Sequence, residues 1–401
     1  MTEVWSLAAL WFALALGAVL LSISLRIANA LSEIVVGIAA GALIGTAGLG
    51  ADQSWIMFLA GAGAMVLTFL AGAELDPVVF KAKWKEAAAV GLVSFAAPFL
   101  GCAAAAYYVF GWDPRASWLA GVALSTTSVA VVYAVMLEFS FNKTEYGKTV
   151  LAACFVTDLG TVLALGFIFS PFTYKTLVFF AATIVVVALL PWITPRFFKR
   201  YGDRPSELEA KFLLLVLFGL GALAAWAGSE PVLPAYVAGM MLAGSIGRDH
   251  ALIRRLRTLT FGLLTPFYFI RAGSYVSIPA LLAAPVAFLV LLLAKIATKC
   301  AGVYPVTRIY GAPKSEAMYT TLLMSTGLTF GSISALYGLS NGIVDPSQYS
   351  LLVLAVIASA VVPTLIANAF YLPRHLLHSD PGGKAGSEQQ QPAASRAPEI
   401  R

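Results

Sequence analysis

Charge is scarce in this sequence. Only 11% of its 401 residues are Asp, Glu, Lys or Arg, while 60% are hydrophobic. A soluble protein of this length needs far more polar surface than that composition supplies, so the chain is a polytopic membrane protein. Cysteine is nearly absent. Cys102, Cys154 and Cys300 fall inside apolar runs without CxxC spacing, which points away from disulfides and from a metal site. Histidine is equally rare. His250, His375 and His378 lie in connecting segments or the tail, as solvated side chains or, alternatively, as pH-sensitive groups. Neither a basic n-region nor an A-x-A cleavage site accompanies the first apolar run near Trp5, which therefore reads as a retained span. A TVGYG-type selectivity-filter repeat is missing, which argues against a channel. No nucleophile–base pair or metal cluster falls at membrane depth, so the chain is not expected to be an enzyme, and no cofactor is implied. The formal charge of +6 carries no nucleic-acid meaning, because the basic residues lie between apolar runs.

What is present is a succession of apolar runs long enough, or nearly so, to cross a bilayer. They cover residues 5–26, 32–49, 55–74, 86–111, 115–137, 146–170, 174–195, 208–227, 231–246, 258–274, 279–304, 315–338 and 347–372. Thirteen spans put the termini on opposite sides. With the N-terminus outside, 21 Lys and Arg residues fall in inner segments and only Arg115 and Lys175 in outer ones, as the positive-inside rule requires. The C-terminus is then cytoplasmic, and residues 379–401, rich in Gly, Gln, Pro and Ala, form a short disordered tail after a membrane domain of residues 1–378. Thirteen also divides into six, a linker and six, and the two sixes have opposite topology. Inverted repeats of this kind mark secondary transporters.

Inside these spans a few polar residues stand out. Asp158 sits amid Ala152-Ala153-Cys154-Phe155-Val156-Thr157-Asp158-Leu159-Gly160-Thr161, at bilayer depth, where a carboxylate costs several kcal/mol by insertion scales. It is either an ion or proton site or a protonated donor between helices. The fifth span carries Ser125-Thr126-Thr127-Ser128 and the twelfth Ser325-Thr326-Gly327-Leu328-Thr329. Both are clusters of small and hydroxyl residues where a helix can unwind and offer backbone groups to an ion, or where helices pack through Ser and Thr. Lys295 and Lys299, one turn apart in the eleventh span, share a face, and either can neutralise Asp158 or lose its own proton when desolvated; Lys299 could instead snorkel to the interface. Arg271, near the outer end of the tenth span, is interfacial or part of a funnel. Gly37, Gly41 and Gly45 give overlapping GxxxG spacings, for packing within the monomer or at a dimer face. Glu74 and Asp76 close the third span at its inner end.

Four stretches resemble the monovalent cation:proton antiporter-2 family, which holds the Kef-type and NapA-type exchangers. They are Leu70-Ala71-Gly72-Ala73-Glu74-Leu75-Asp76, Ser125-Thr126-Thr127-Ser128-Val129-Ala130, Thr157-Asp158, and Lys299-Cys300-Ala301-Gly302 followed by Gly327-Leu328-Thr329-Phe330. The resemblance implies an all-α, NhaA/NapA-like fold with broken fifth and twelfth helices crossing at the ion site. It implies a dimerisation domain of spans 1–3 and 8–10, a mobile core of spans 4–6 and 11–13 that moves as an elevator, and a homodimer in the inner membrane. By resemblance Asp158 is the essential ion-binding aspartate, Thr126 and Thr127 belong to the unwound segment that offers oxygens, and Lys299 is the family's lysine. Two positions depart from the pattern. Thr157 stands where a second acidic residue or an Asn is frequent, which points to one-for-one exchange, and Thr329 stands where a glutamate is frequent. Many Kef-type members carry a large nucleotide-binding domain after the last span; with only the short tail here, nucleotide gating by this chain is not expected.

The expected function is a Na⁺ or K⁺/H⁺ antiporter in which Asp158 binds either a cation or a proton, with Thr157, Thr126 and Thr127 supplying oxygens and Ser325, Thr326, Gly327 and Thr329 forming the second break. The alternative is a Na⁺- or H⁺-coupled organic-solute symporter of similar architecture, which needs a basic residue at its substrate site; Arg271 or Lys295 is available.

Overall fold

Each of the thirteen apolar runs is occupied by helix, and no strand occurs among the described residues. The computed structural model describes residues 2–25, 28–73, 83–139, 141, 144–169, 173–202, 207–229, 231–246 and 250–378. Glu74, Asp76 and the tail 379–401 lie outside them. In chain order the α-helices are α1 Thr2–Leu25, α2 Asn29–Gly48, α3 Ser54–Ala73, α4 Trp84–Ala104, α5 Pro114–Ser125, α6 Val129–Glu138, α7 Glu145–Phe169, α8 Tyr174–Tyr201 and α9 Leu208–Ala227. They continue with α10 Val232–Leu242, α11 His250–Leu259, α12 Thr265–Ser274, α13 Ile278–Ala283, α14 Pro285–Ile309, α15 Lys314–Met324, α16 Thr329–Ser340 and α17 Pro346–Ile366. Ten helices among the described residues, counting α15 and α16 as one, are long and apolar enough to cross a membrane.

Local chemistry sets the boundaries. Asp113 accepts from Arg115 N at 2.9 Å with Pro114 in the first turn of α5, and Asp345 makes a reciprocal capping box with Gln348 at the start of α17. Gly228, at φ 66°, ends α9 in the left-handed region that glycine adopts without strain.

Three stretches differ from the sequence expectation. The tenth begins eight residues earlier, because α11 is amphipathic. It buries Leu252, Ile253 and Leu256 while Arg254, Arg255 and Arg257 stay exposed, so apolarity alone misses it. The ninth yields only the 11-residue α10, too short to span alone. The eleventh is interrupted at Ala284, since Pro285 starts a new helix and disfavours helical backbone at the residue before it.

The helices pack in two groups. In the first, α2 lies on α12, α3 on α10, and α1 on α2. Glycines set the spacing. A Cβ on Gly37 would stand 2.3 Å from Ile270 O, one on Gly41 2.4 Å from Ser274 O, and one on Gly273 2.2 Å from Ile34 O. Gly72 and Gly239 do the same for α3 and α10. The GxxxG spacing of α2 thus serves packing within the chain. Gly45 instead has φ 78° and kinks the helix with open space around it. In the second group α4 packs on α5, α7 and α14, while α14 packs on α15 and α17 and α16 packs on α5 and α17. Gly41→Leu is expected to drive a side chain into backbone that cannot yield, costing about 1–3 kcal/mol as overpacking does. Thermal unfolding of the detergent-solubilised variant should show the loss, whereas Gly61→Leu, which meets nothing within 4 Å, should leave the transition in place.

Candidate ion site at the two helix breaks

The hydroxyl clusters of the fifth and twelfth spans both unwind, and they meet. Helix α5 stops at Ser125, Thr126 turns extended at φ −63°, ψ 153°, and α6 resumes at Val129. Helix α15 stops at Met324, and α16 resumes at Thr329 after Leu328 at φ −153°, ψ −77°. Unwound backbone at membrane depth survives only where protein groups satisfy it. Here the breaks satisfy each other: Ser128 N donates to Thr326 O at 3.1 Å, and Thr127 Oγ1 donates to Met324 O at 2.7 Å. Thr126, Thr127, Ser128, Ser325 and Thr326 are all buried. Two helix C-termini, α5 and α15, end here, so partial negative charge collects at the junction.

Two lysine side chains reach that junction. Lys295, Lys299, Val303 and Thr307 form one buried ridge of α14. Lys299 Nζ donates to Ser94 Oγ at 2.7 Å and to Thr127 Oγ1 at 3.0 Å. Because the Thr127 hydroxyl already donates its one proton to Met324 O, its oxygen can only accept from the lysine. Lys295 Nζ donates to Ser359 Oγ at 3.0 Å and lies beside the second break. A Cβ on Gly327 would stand 2.2 Å from that nitrogen and 2.8 Å from Thr126 Oγ1. Gly327 is therefore the space in which Lys295 reaches the junction.

Asp158 lies on α7 with 1% of its surface exposed. Among the described residues, its buried Oδ1 atom has no hydrogen-bond partner, and no lysine, arginine or histidine nitrogen comes within 4.0 Å of the carboxylate. Lys299 is within electrostatic reach but is held by Ser94 and Thr127. A buried carboxylate oxygen left open in this way calls for a ligand, since buried polar atoms are otherwise almost always paired. A protonated donor between helices would give the carboxyl group a protein acceptor, so the open Oδ1 argues against that alternative. Thr157, next to it, points its hydroxyl to Gly91 O and Ala153 O, both at 3.1 Å, and so ties α7 to α4. The Thr126 hydroxyl donates to Ala123 O at 3.2 Å, that of Ser325 to Thr321 O at 2.8 Å and that of Thr326 to Leu323 O at 2.7 Å. Thr329 opens α16 and is half-buried.

Sequence reasoning missed Ser94 and Ser359, the acceptors of the two lysines. Each is a single hydroxyl in an apolar helix, and only the pairing with a buried cation marks it. Tyr236 was missed too. Its hydroxyl donates to Phe155 O at 2.9 Å, one turn from Asp158, and its ring meets Phe330 edge-on at 5.7 Å. Arg271 is resolved as a strap at the end of α12. Its Nε donates to Ala51 O at 2.8 Å, its Nη2 lies 3.7 Å from Asp52 Oδ1, and its guanidinium covers the Tyr275 ring. The Tyr275 hydroxyl donates to Asp52; burial, and then that bond, push the phenol up to about 12, so it remains a donor throughout the physiological range. Arg271 is thus fully occupied away from the junction. His375 is not merely solvated either, since its Nε2 lies 2.6 Å from Glu316 Oε1. A vestibule of about 230 Å³ opens between the beginnings of α4, α7 and α15 and the end of α14. Glu86, Glu145 and Glu316 line it together with Lys83, and Ala153, beside Cys154 and five residues before Asp158, reaches its wall.

The profile described as "Sodium/hydrogen exchanger, transmembrane" matches residues 12–370. The chain belongs to that family. It is 25% identical over 344 residues to a probable Na(+)/H(+) antiporter 3 of Methanocaldococcus jannaschii, covering 82% of this chain and 88% of that protein. It is 26% identical over 381 residues to the glutathione-regulated potassium-efflux system protein KefC of Escherichia coli (strain K12), and it spans 58% of that relative's length. The solved structure of the sodium proton antiporter MjNhaP1 from M. jannaschii at pH 8 superposes with a TM-score of 0.67 at 16% identity, over 91% of this chain and 97% of that one. The exchanger is thus a multi-pass membrane protein with an antiporter fold. Thr127→Val is expected to cost about 1–3 kcal/mol, because Met324 O and the Lys299 ammonium both lose a buried partner. Thermal unfolding of the purified exchanger, set against a Thr258→Val control at an exposed helix position, measures this cost.

Proposed function

We propose that this exchanger trades Na⁺ or K⁺ for H⁺ and that Asp158 is the group both ions share. The observation that carries the reading is the buried, unpartnered Oδ1 of Asp158, in electrostatic reach of a lysine that is held by two hydroxyls rather than by the carboxylate. A carboxylate that can hold a proton or a cation, but not both at once, couples the two fluxes without further machinery. One carboxylate supplies at most two of the several oxygens a bare Na⁺ or K⁺ needs. Carbonyls and hydroxyls of the first break, around Thr126 and Thr127, together with Thr157 and water, complete the set. Thr157 cannot ionise, so a single titrating carboxylate gives one proton per cation.

Alternating access follows the two packing groups. In this reading α4–α7 and α13–α17, which carry the junction and Asp158, move as an elevator against a scaffold of α1–α3 and α9–α12, with α8 as linker. The scaffold is also the proposed homodimer face, in the inner membrane, with the N-terminus outside and the acidic vestibule toward the cytoplasm. The organic-solute symporter is less well supported, since Arg271 is engaged with Asp52 and Ala51, and Lys295 with Ser359.

The test uses purified protein in liposomes containing a pH-sensitive dye under an imposed proton gradient. Addition of Na⁺ or K⁺, but not choline, should dissipate the gradient in wild type. Asp158→Asn should lose at least about a hundredfold in rate while inserting and unfolding normally, on the scale of removing an essential proton-transfer group. Cation-driven flux persisting in Asp158→Asn would overturn the assignment.

A further inference from the structure

Among the described residues, the two packing groups are joined by few polar contacts. Within the scaffold, α2 and α12, and α3 and α10, touch backbone to backbone through their glycines. Within the bundle, the breaks and the lysine–hydroxyl contacts knit α4, α5, α14, α15 and α17 together. Across the seam, two buried side-chain hydrogen bonds stand out, and both come from tyrosine. Tyr236 on α10 donates to Phe155 O on α7 at 2.9 Å, and Tyr349 on α17 donates to Ala272 O on α12 at 2.5 Å. Both tyrosines are wholly buried. They run in opposite directions, one reaching from scaffold to bundle and the other from bundle to scaffold.

We infer that these two phenols are a latch that holds the present conformation and must open in each transport cycle. The inference rests on the proposed movement of the bundle against the scaffold. Each bond ends on a helix carbonyl, so each fixes the axial position of one helix against its neighbour rather than a side-chain pose. Ala272 is within the last turn of α12, where carbonyls lack an intrahelical partner, and Tyr349 supplies that partner in this state. Phe155 is one residue from Val156 and three from Asp158, so Tyr236 sets the height of the Asp158-bearing turn against α10. Tyr236 is therefore a positioning residue for the ion site, acting through α7, and it also meets Phe330 just after the second break. If α7 slides along α10, or α12 along α17, by even one residue, both hydroxyls lose their carbonyls together. The apolar contacts of the same seam, such as Leu233 against Gly166, are tolerant of sliding, whereas a hydrogen bond is not.

The consequence is a difference between the two faces of the membrane. Tyr236→Phe and Tyr349→Phe keep the ring and remove only the latch, so each should weaken this conformation relative to its alternative by about fivefold, the size of one ordinary hydrogen bond. The apparent KM for the cation should rise on the face this conformation opens to and fall on the other, and the ratio of the two should move about fivefold in the same direction in both variants. The double variant should move it further. The measurement is cation-driven proton flux in proteoliposomes of uniform orientation, with the cation added to one side at a time, for wild type, both single variants and the double variant. Hydrogen exchange across α7 and α12, compared with α2 as an internal reference, provides a second readout that needs no transport; faster exchange confined to the seam is expected. An unchanged KM ratio, an equal change on both faces, or opposite shifts from the two variants would overturn the latch. Absence of cation-driven flux in wild type, or flux that survives Asp158→Asn, would instead overturn the proposed function, so the two failures are distinguishable.

Discussion

Everything at the centre of this protein depends on the mutual satisfaction of two interrupted helices. An unwound turn in a bilayer leaves donors and acceptors that lipid cannot meet. The chain solves this by bringing two such turns together, so that the amide of Ser128 meets the carbonyl of Thr326 and the hydroxyl of Thr127 meets the carbonyl of Met324. The helix C-termini that end there draw in two lysines, and those lysines need hydroxyls to complete their hydrogen bonding. Ser94 and Ser359 are consequences of that need. Asp158, on the neighbouring α7, is a buried carboxylate whose Oδ1 has no hydrogen-bond partner among the described residues, and it is the proposed place for the ion.

Much of this was legible in the sequence, for a physical reason. Hydropathy is a property of long windows, and windows of apolar residues become helices almost regardless of their details, so every expected span is helical. Asp158 and the two lysines stand out because charge at membrane depth is expensive enough to be rare. The paired hydroxyl clusters were visible because several weak signals coincided at matching places. Boundaries were less legible. Helix α11 is invisible to hydropathy because its arginines offset its buried leucines, and the interruption before α14 depends on a single proline.

What escaped was pairing. Nothing in the string distinguishes Ser94 and Ser359 from the other serines of apolar helices, because a hydroxyl becomes functional only through the cation that reaches it. The same holds for Arg271. Its sequence position near a span end admits an interfacial or a funnel residue, and only the approach of the α2–α3 connection, with Ala51 and Asp52, makes it a strap instead. Tyr236 belongs to this class as well, being one of many aromatics until its hydroxyl is seen on α7. One-dimensional reading recovers which residues are costly; the fold determines which of them compensate one another.

The glycine contacts between α2 and α12 and between α3 and α10 bear on mechanics as well as packing. Where backbone rests on backbone there is no layer of side chains to rearrange, and close-packed interiors are already hard to compress. The helices so joined behave as a stiff plate within the fluid bilayer. Lateral pressure from the surrounding lipid is then carried by this plate with little strain, and any softness in the molecule is concentrated along the seam where side chains, rather than backbones, make the contact.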